Sequence, residues 1–77
     1  MKKDNNTPKG RVLRAAELVV PHGINIEIRG ERVKSQGGSY FLAELVAGNR
    51  TLARSRHRDW RKAYKGLEIE LCRLAQI

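Results

Sequence analysis

The run RSRHRDWRKAYKGLEIELCRLAQ, residues 54–76, decides how the rest of the chain is read. Taken as a helix, it places Trp60, Ala63, Tyr64, Leu67, Leu71, Leu74 and Ala75 on one arc and Arg58, Arg61, Lys62 and Lys65 opposite. Two features pull the other way. Gly66 inside a helix costs about 1 kcal/mol relative to alanine, and Leu67-Glu68-Ile69-Glu70-Leu71 alternates as a strand does. A continuous helix from about His57 to about Gln76 is preferred, because Leu71, Leu74 and Ala75 keep the arc that Trp60 and Tyr64 begin. A helix stopping at Lys65, followed by a final strand, is the alternative. On the helical reading Trp60 and Tyr64 belong to the core.

The first half of this run carries Arg54, Arg56, Arg58, Arg61, Lys62 and Lys65 against Asp59 alone. If these cations crowd a helix N-terminus, each opposes the dipole at a cost of about 0.3–1 kcal/mol. An anionic ligand would offset that cost, and free N–H groups at a helix start suit phosphate. These six residues, with His57 assisting when protonated, are the leading candidate contacts for nucleic acid. A basic surface that only keeps a small protein in solution is the competing explanation.

Upstream, Met1 to Gly10 is polar and reads as a disordered basic arm. Residues 11–20, RVLRAAELVV, carry Val12, Ala15 or Ala16, and Val19 at helical spacing, so a short helix closed by Pro21-His22-Gly23 is expected, with a strand as the alternative because of the β-branched Val19 and Val20. Ile24, Ile26 and Ile28 alternate with polar residues as a half-buried strand. Val33 falls on the opposite parity, so a bulge or turn is expected at Gly30-Glu31. Tyr40 to Ala47 is a second strand with Phe41, Ala43 and Leu45 inward and Tyr40, Leu42, Glu44 and Val46 outward. Gly48-Asn49 is a hairpin turn, and Thr51 to Ser55 a short third strand. The expected class is α+β: an α-β-β-β-α order in which two helices cover one face of a three-stranded antiparallel sheet.

The 77 residues suffice for one domain, residues 11–77, with a small core. A single cysteine, Cys72, excludes a disulfide framework and a cysteine-based zinc site. His22 and His57 have no other ligand types at metal spacing, so neither a cofactor nor a metal is expected. The polar start lacks the apolar region of a signal peptide and no run approaches a membrane span, which fits the cytoplasm. Net charge is +8. It concentrates at residues 1–16 (Lys2, Lys3, Lys9, Arg11, Arg14 against Asp4) and at residues 50–65, a distribution suited to a polyanion rather than to a membrane surface.

The element order resembles the double-stranded RNA-binding domain. That family opens its second helix with a Lys-Lys-x-Ala-Lys type motif on major-groove phosphates, and His57, Arg58, Asp59, Trp60 and Arg61 look like the corresponding positions here. Trp60 and Tyr64 stand where the family keeps alanines, which would set the helix farther from the sheet. The turn Gln36 to Ser39 lacks the family's Gly-Pro-x-His. The chain is also similar to the arm-binding domain of tyrosine recombinases and the plant AP2-type DNA-binding fold, in which the sheet enters the major groove. Arg29-Gly30-Glu31-Arg32-Val33-Lys34-Ser35 and Tyr40 look like that hairpin, which would make Arg29, Arg32, Lys34 and Tyr40 contacts. Small RNA-cleaving toxins of similar shape keep a histidine after a glycine in the sheet region; here Ser39 follows Gly37-Gly38, and no catalytic residue is expected.

The expectation is a non-enzymatic nucleic-acid-binding protein, with DNA ahead of RNA, in a format that suits a phage or mobile-element gene. The alternative class is an adaptor or inhibitor, or a homodimer, that meets its partner through Leu42, Val46 and Ile69, apolar positions this fold leaves outside.

Overall fold

Thr7 starts the first helix. Its hydroxyl accepts a hydrogen bond from the Gly10 N–H at 2.9 Å, and Pro8 takes the first helical position, where a missing N–H leaves nothing unpaired. In the computed structural model, which describes residues 7–76, helix α1 spans Pro8–Val19. Pro8-Lys9-Gly10 is thus the first helical turn and not the end of an arm; the rest of the expected arm, residues 1–6, lies outside the described residues. Val20 turns extended ahead of Pro21, whose ring disfavours the helical conformation in the residue before it.

Strands β1 (Ile26–Ser35), β2 (Gly38–Ala47) and β3 (Arg50–His57) form an antiparallel sheet in that order, and helix α2 (Trp60–Ala75) closes the chain. The architecture is α+β, with the expected α-β-β-β-α order. The expected break at Gly30 is absent. Gly30 pairs in step with Ala43, Ile24 precedes the strand, and the one register shift lies between Leu45 and Val46 of β2 where they meet β3. Val33 changes parity for a different reason. The sheet outruns its helical cover, so Arg32 lies over the Phe41 ring, 5.9 Å from its centroid, while Val33 pairs with Tyr40 on the open face.

The core gathers Val12, Ala15 and Ala16 of α1, Ala43 and Leu45 of β2, Ala53 of β3, and Ala63, Tyr64, Leu67 and Leu71 of α2. Leu45, Leu67, Leu71 and Val12 are the largest fully buried side chains, each contributing about 1.5–3 kcal/mol through lost apolar exposure. Two glycines bring the layers together. A Cβ on Gly66 would meet the Ser55 hydroxyl and stand 3.4 Å from Ser55 Cβ, so the helical glycine marks where α2 lies against β3. Gly30 lies beneath the Tyr64 hydroxyl and the Phe41 ring, so Tyr64 is accommodated without lifting the helix away.

Helix α2 passes through the alternating stretch without a final strand. Leu67 and Leu71 are buried and Ile69, the residue out of helical phase, is 50% exposed. The ends of the arc leave the core, since Leu74 and Ala75 are exposed and Trp60 is 41% exposed. Trp60 is therefore a surface residue, because the first turn of α2 lies beyond the packed part of the sheet.

Candidate nucleic-acid interface

The basic run does not stay together on a helix. Strand β3 continues to His57, so Arg54, Arg56 and His57 belong to the sheet, Arg58 and Asp59 make the turn, and only Arg61, Lys62 and Lys65 ride on α2. The extra strand length is dictated by pairing: Arg54, Ser55, Arg56 and His57 stand opposite Glu44, Ala43, Leu42 and Phe41. Alternation then sends Arg54 and Arg56 to the face away from the helices.

That open face is electrically balanced. Arg29, Arg54 and Arg56 share it with Glu27, Glu31 and Glu44 by register. Arg29 pairs with Glu27 at 3.4 Å and Arg54 with Glu44 at 3.6 Å, while Arg56 stacks 5.6 Å from the Tyr40 ring centroid. Of the apolar positions expected outside, Ile69 is 50% exposed on α2, Leu42 is half-buried and Val46 is only 7% exposed. Arg32 and Lys34 lie on the helical side near the β1–β2 turn, and Arg32 Nη1 donates to the Arg58 carbonyl at 3.3 Å. That bond ties the hairpin to the β3–α2 turn.

The turn itself is organised by Asp59. Its carboxylate accepts from the Arg61 N–H and its own N–H donates to His57 Nδ1, both at 3.0 Å. The acid nearest the cations is thus held by the helix cap. Behind it, Phe41, Tyr64 and Trp60 form an edge-to-face series with centroids 5.5 and 6.0 Å apart, and the Arg61 guanidinium lies 5.5 Å from the Trp60 ring centroid. Burial pushes the Tyr64 hydroxyl above the ordinary tyrosine range. The folded state holds that proton more firmly, so its contribution is present below the unfolded pKa and is lost as pH rises through the folded one.

Helix α1 completes the basic end. A groove between the helices is lined by Arg11, Arg14, Leu18, Glu68 and Cys72, and its continuation by Pro8, Arg11, Arg61, Lys65 and Glu68. The helices therefore run side by side in the same direction, with both N-termini at one end. Arg11, which the sequence reading counted in the charge of residues 1–16 but not among the candidate contacts, thereby joins Arg61 and Lys65, with Glu68 beside them. Neither helix has an acidic residue in its first turn, although the Asp59 carboxylate caps α2, so the cations stand beside two positive dipole ends, one of them partly offset.

No family model, curated protein or solved structure matches this chain.

The candidate interface is accordingly read from its own geometry. Among the described residues, no group of three or more His, Cys, Asp or Glu could hold a metal ion, and no helix is long and apolar enough to cross a membrane. Asp59 gives the interface a test with two opposite signs. Asp59→Ala is expected to lower stability by about 1 kcal/mol through loss of the cap, measured by urea unfolding. The same change removes one of the two acids beside the cations, Glu68 being the other, and is expected to tighten duplex binding in low salt.

Proposed function

We propose that this chain is a small non-enzymatic nucleic-acid-binding protein, a DNA-binding accessory or regulator, that grips a duplex backbone with the adjoining N-terminal ends of α1 and α2. The observation that carries this reading is the meeting of Arg11, Arg61 and Lys65 beside two helix starts, one capped by the Thr7 hydroxyl and the other by the Asp59 carboxylate. Arg58 and Lys62 adjoin them in sequence and extend the cationic end. Trp60, exposed and flanked by Arg61, offers a flat apolar surface to a sugar or a base.

The helical end is favoured over the sheet because charges on the open face are matched one for one. This ordering weighs against the recombinase-arm type of docking, in which Arg29 and Tyr40 would enter a groove. It sits closer to the duplex-RNA-binding arrangement, where a basic helix start meets phosphates, so RNA is the second target. A panel of duplex DNA, duplex RNA and single strands, titrated with salt, tests the proposal. Five cations on phosphates give a log–log affinity slope of about −4 to −5 for duplex DNA. Absence of binding to every nucleic acid, or an affinity indifferent to salt, would overturn it and favour a protein partner.

A further inference from the structure

We infer that β1 is a dimerisation edge, and that a second copy of this chain adds to it antiparallel, with the two-fold axis at Gly30. Among the described residues no strand pairs with the outer side of β1, which is 10 residues long and lacks proline. A cleft follows this edge, lined by Glu27, Gly30, Glu31 and Tyr64 among others, with Lys9 of α1 at its rim. Helix α1 comes beside the first part of this edge, where Thr7, Lys9, Gly10 and Leu13 share a cleft with Ile26, Glu27 and Ile28, and among the described residues no strand covers any of it.

The backbone phase fixes which groups it offers. Gly48 N–H donates to the Asn25 carbonyl at 2.9 Å, and Ser35 pairs with Gly38 across a two-residue turn. In an antiparallel ladder this directs odd-numbered residues toward β2 and leaves the N–H and C=O of Ile26, Ile28, Gly30, Arg32 and Lys34 facing outward. A two-fold at Gly30 pairs Gly30 with its own copy, Ile28 with Arg32, and Ile26 with Lys34, so outward groups meet outward groups.

The side chains fit the same register. Arg29 falls opposite Glu31 of the second copy and Glu31 opposite its Arg29, so two opposite-charge pairs form at once. An axis at Ile28 would also set Glu27 opposite Arg29, but it pairs only residues 26–30 of each strand, whereas the axis at Gly30 pairs residues 26–34. The existing Arg29–Glu27 contact is no obstacle, being an exposed pair of small net value. The other edge behaves differently: β3 carries Arg50, Arg54 and Arg56 and no acid, so a second copy is repelled there. The resulting six-stranded sheet keeps both helical layers on one side and presents the two basic ends to the same surface. This inference uses none of the nucleic-acid reading.

The test is sedimentation equilibrium of the chain and three variants without nucleic acid, with circular dichroism to verify folding. The parent is expected to be a dimer that weakens with salt. Glu31→Arg and Arg29→Glu each place like charges opposite one another and are expected to weaken association about tenfold or more. The double swap Arg29→Glu/Glu31→Arg restores opposite charges and is expected to recover the dimer. A monomeric parent, a dimer unaffected by Glu31→Arg, or a double swap no better than the single variants would overturn the assignment.

Discussion

Changing Arg11, Arg61 and Lys65 together to alanine is expected to weaken duplex DNA binding by about 10- to 100-fold near physiological salt and to flatten the log–log salt slope by about 3. The reasoning is electrostatic. Each cation that neutralises a phosphate releases close to one condensed counterion, so three losses remove about three ions from the slope. All three side chains belong to exposed residues, and surface substitutions of this kind usually change stability by no more than about 0.5 kcal/mol each. The matched control is Arg54→Ala with Arg56→Ala on the open sheet face, where an expected change under about threefold reflects the balancing acids. If the sheet pair proves as damaging as the helical triple, the interface has been put on the wrong side of the sheet.

Gly30→Ala is expected to cost about 1–3 kcal/mol of folding stability. An added Cβ would stand 2.6 Å from Phe41 Cζ and 2.9 Å from Phe41 Cε2, and would also meet the Tyr64 hydroxyl. Both rings are engaged with one another, so neither is free to withdraw. For a domain of this size the midpoint of thermal unfolding falls by roughly 5–20 °C. Phe41→Leu placed in the Gly30→Ala background is expected to return part of the loss, although it destabilises the parent. Gly37→Ala is the control, since nothing stands within 4 Å of a Cβ there, and a change within about 0.5 kcal/mol is expected. Equal melting temperatures for Gly30→Ala and the parent would refute the packing described for Tyr64.

Most elements were legible because each carries its own local signal. Pro21, Gly48 and the Leu67–Leu71 spacing depend on backbone chemistry and helical period, and both patterns are written in neighbouring residues. The Thr7-Pro8 helix start reads in the sequence as part of an arm. The assembly of the basic run was not. Whether Arg54 and Arg56 sit on a strand or a helix depends on Glu44 and Leu42 opposite them, partners a sequence window does not contain. Trp60 was misplaced for a related reason: a helical arc says which side is apolar, not how far the sheet beneath it reaches. Gly66, which argued against a helix, records contact with Ser55, and propensity alone carries no trace of that. Arg11 entered the candidate interface only through the shared direction of the two helices, a long-range relation with no counterpart in either segment.

That seam between the first and last helices also shapes how the domain forms. Each strand meets its sequence neighbour across a tight turn, whereas α1 and α2 are separated along the chain by the whole meander. Loop closure disfavours the long-range contact, so α1 governs how slowly the domain opens more than how quickly it assembles. A polyanion lying across Arg11 and Lys65 would clasp the two ends of the chain, so that occupancy of the interface itself prolongs the lifetime of the native state.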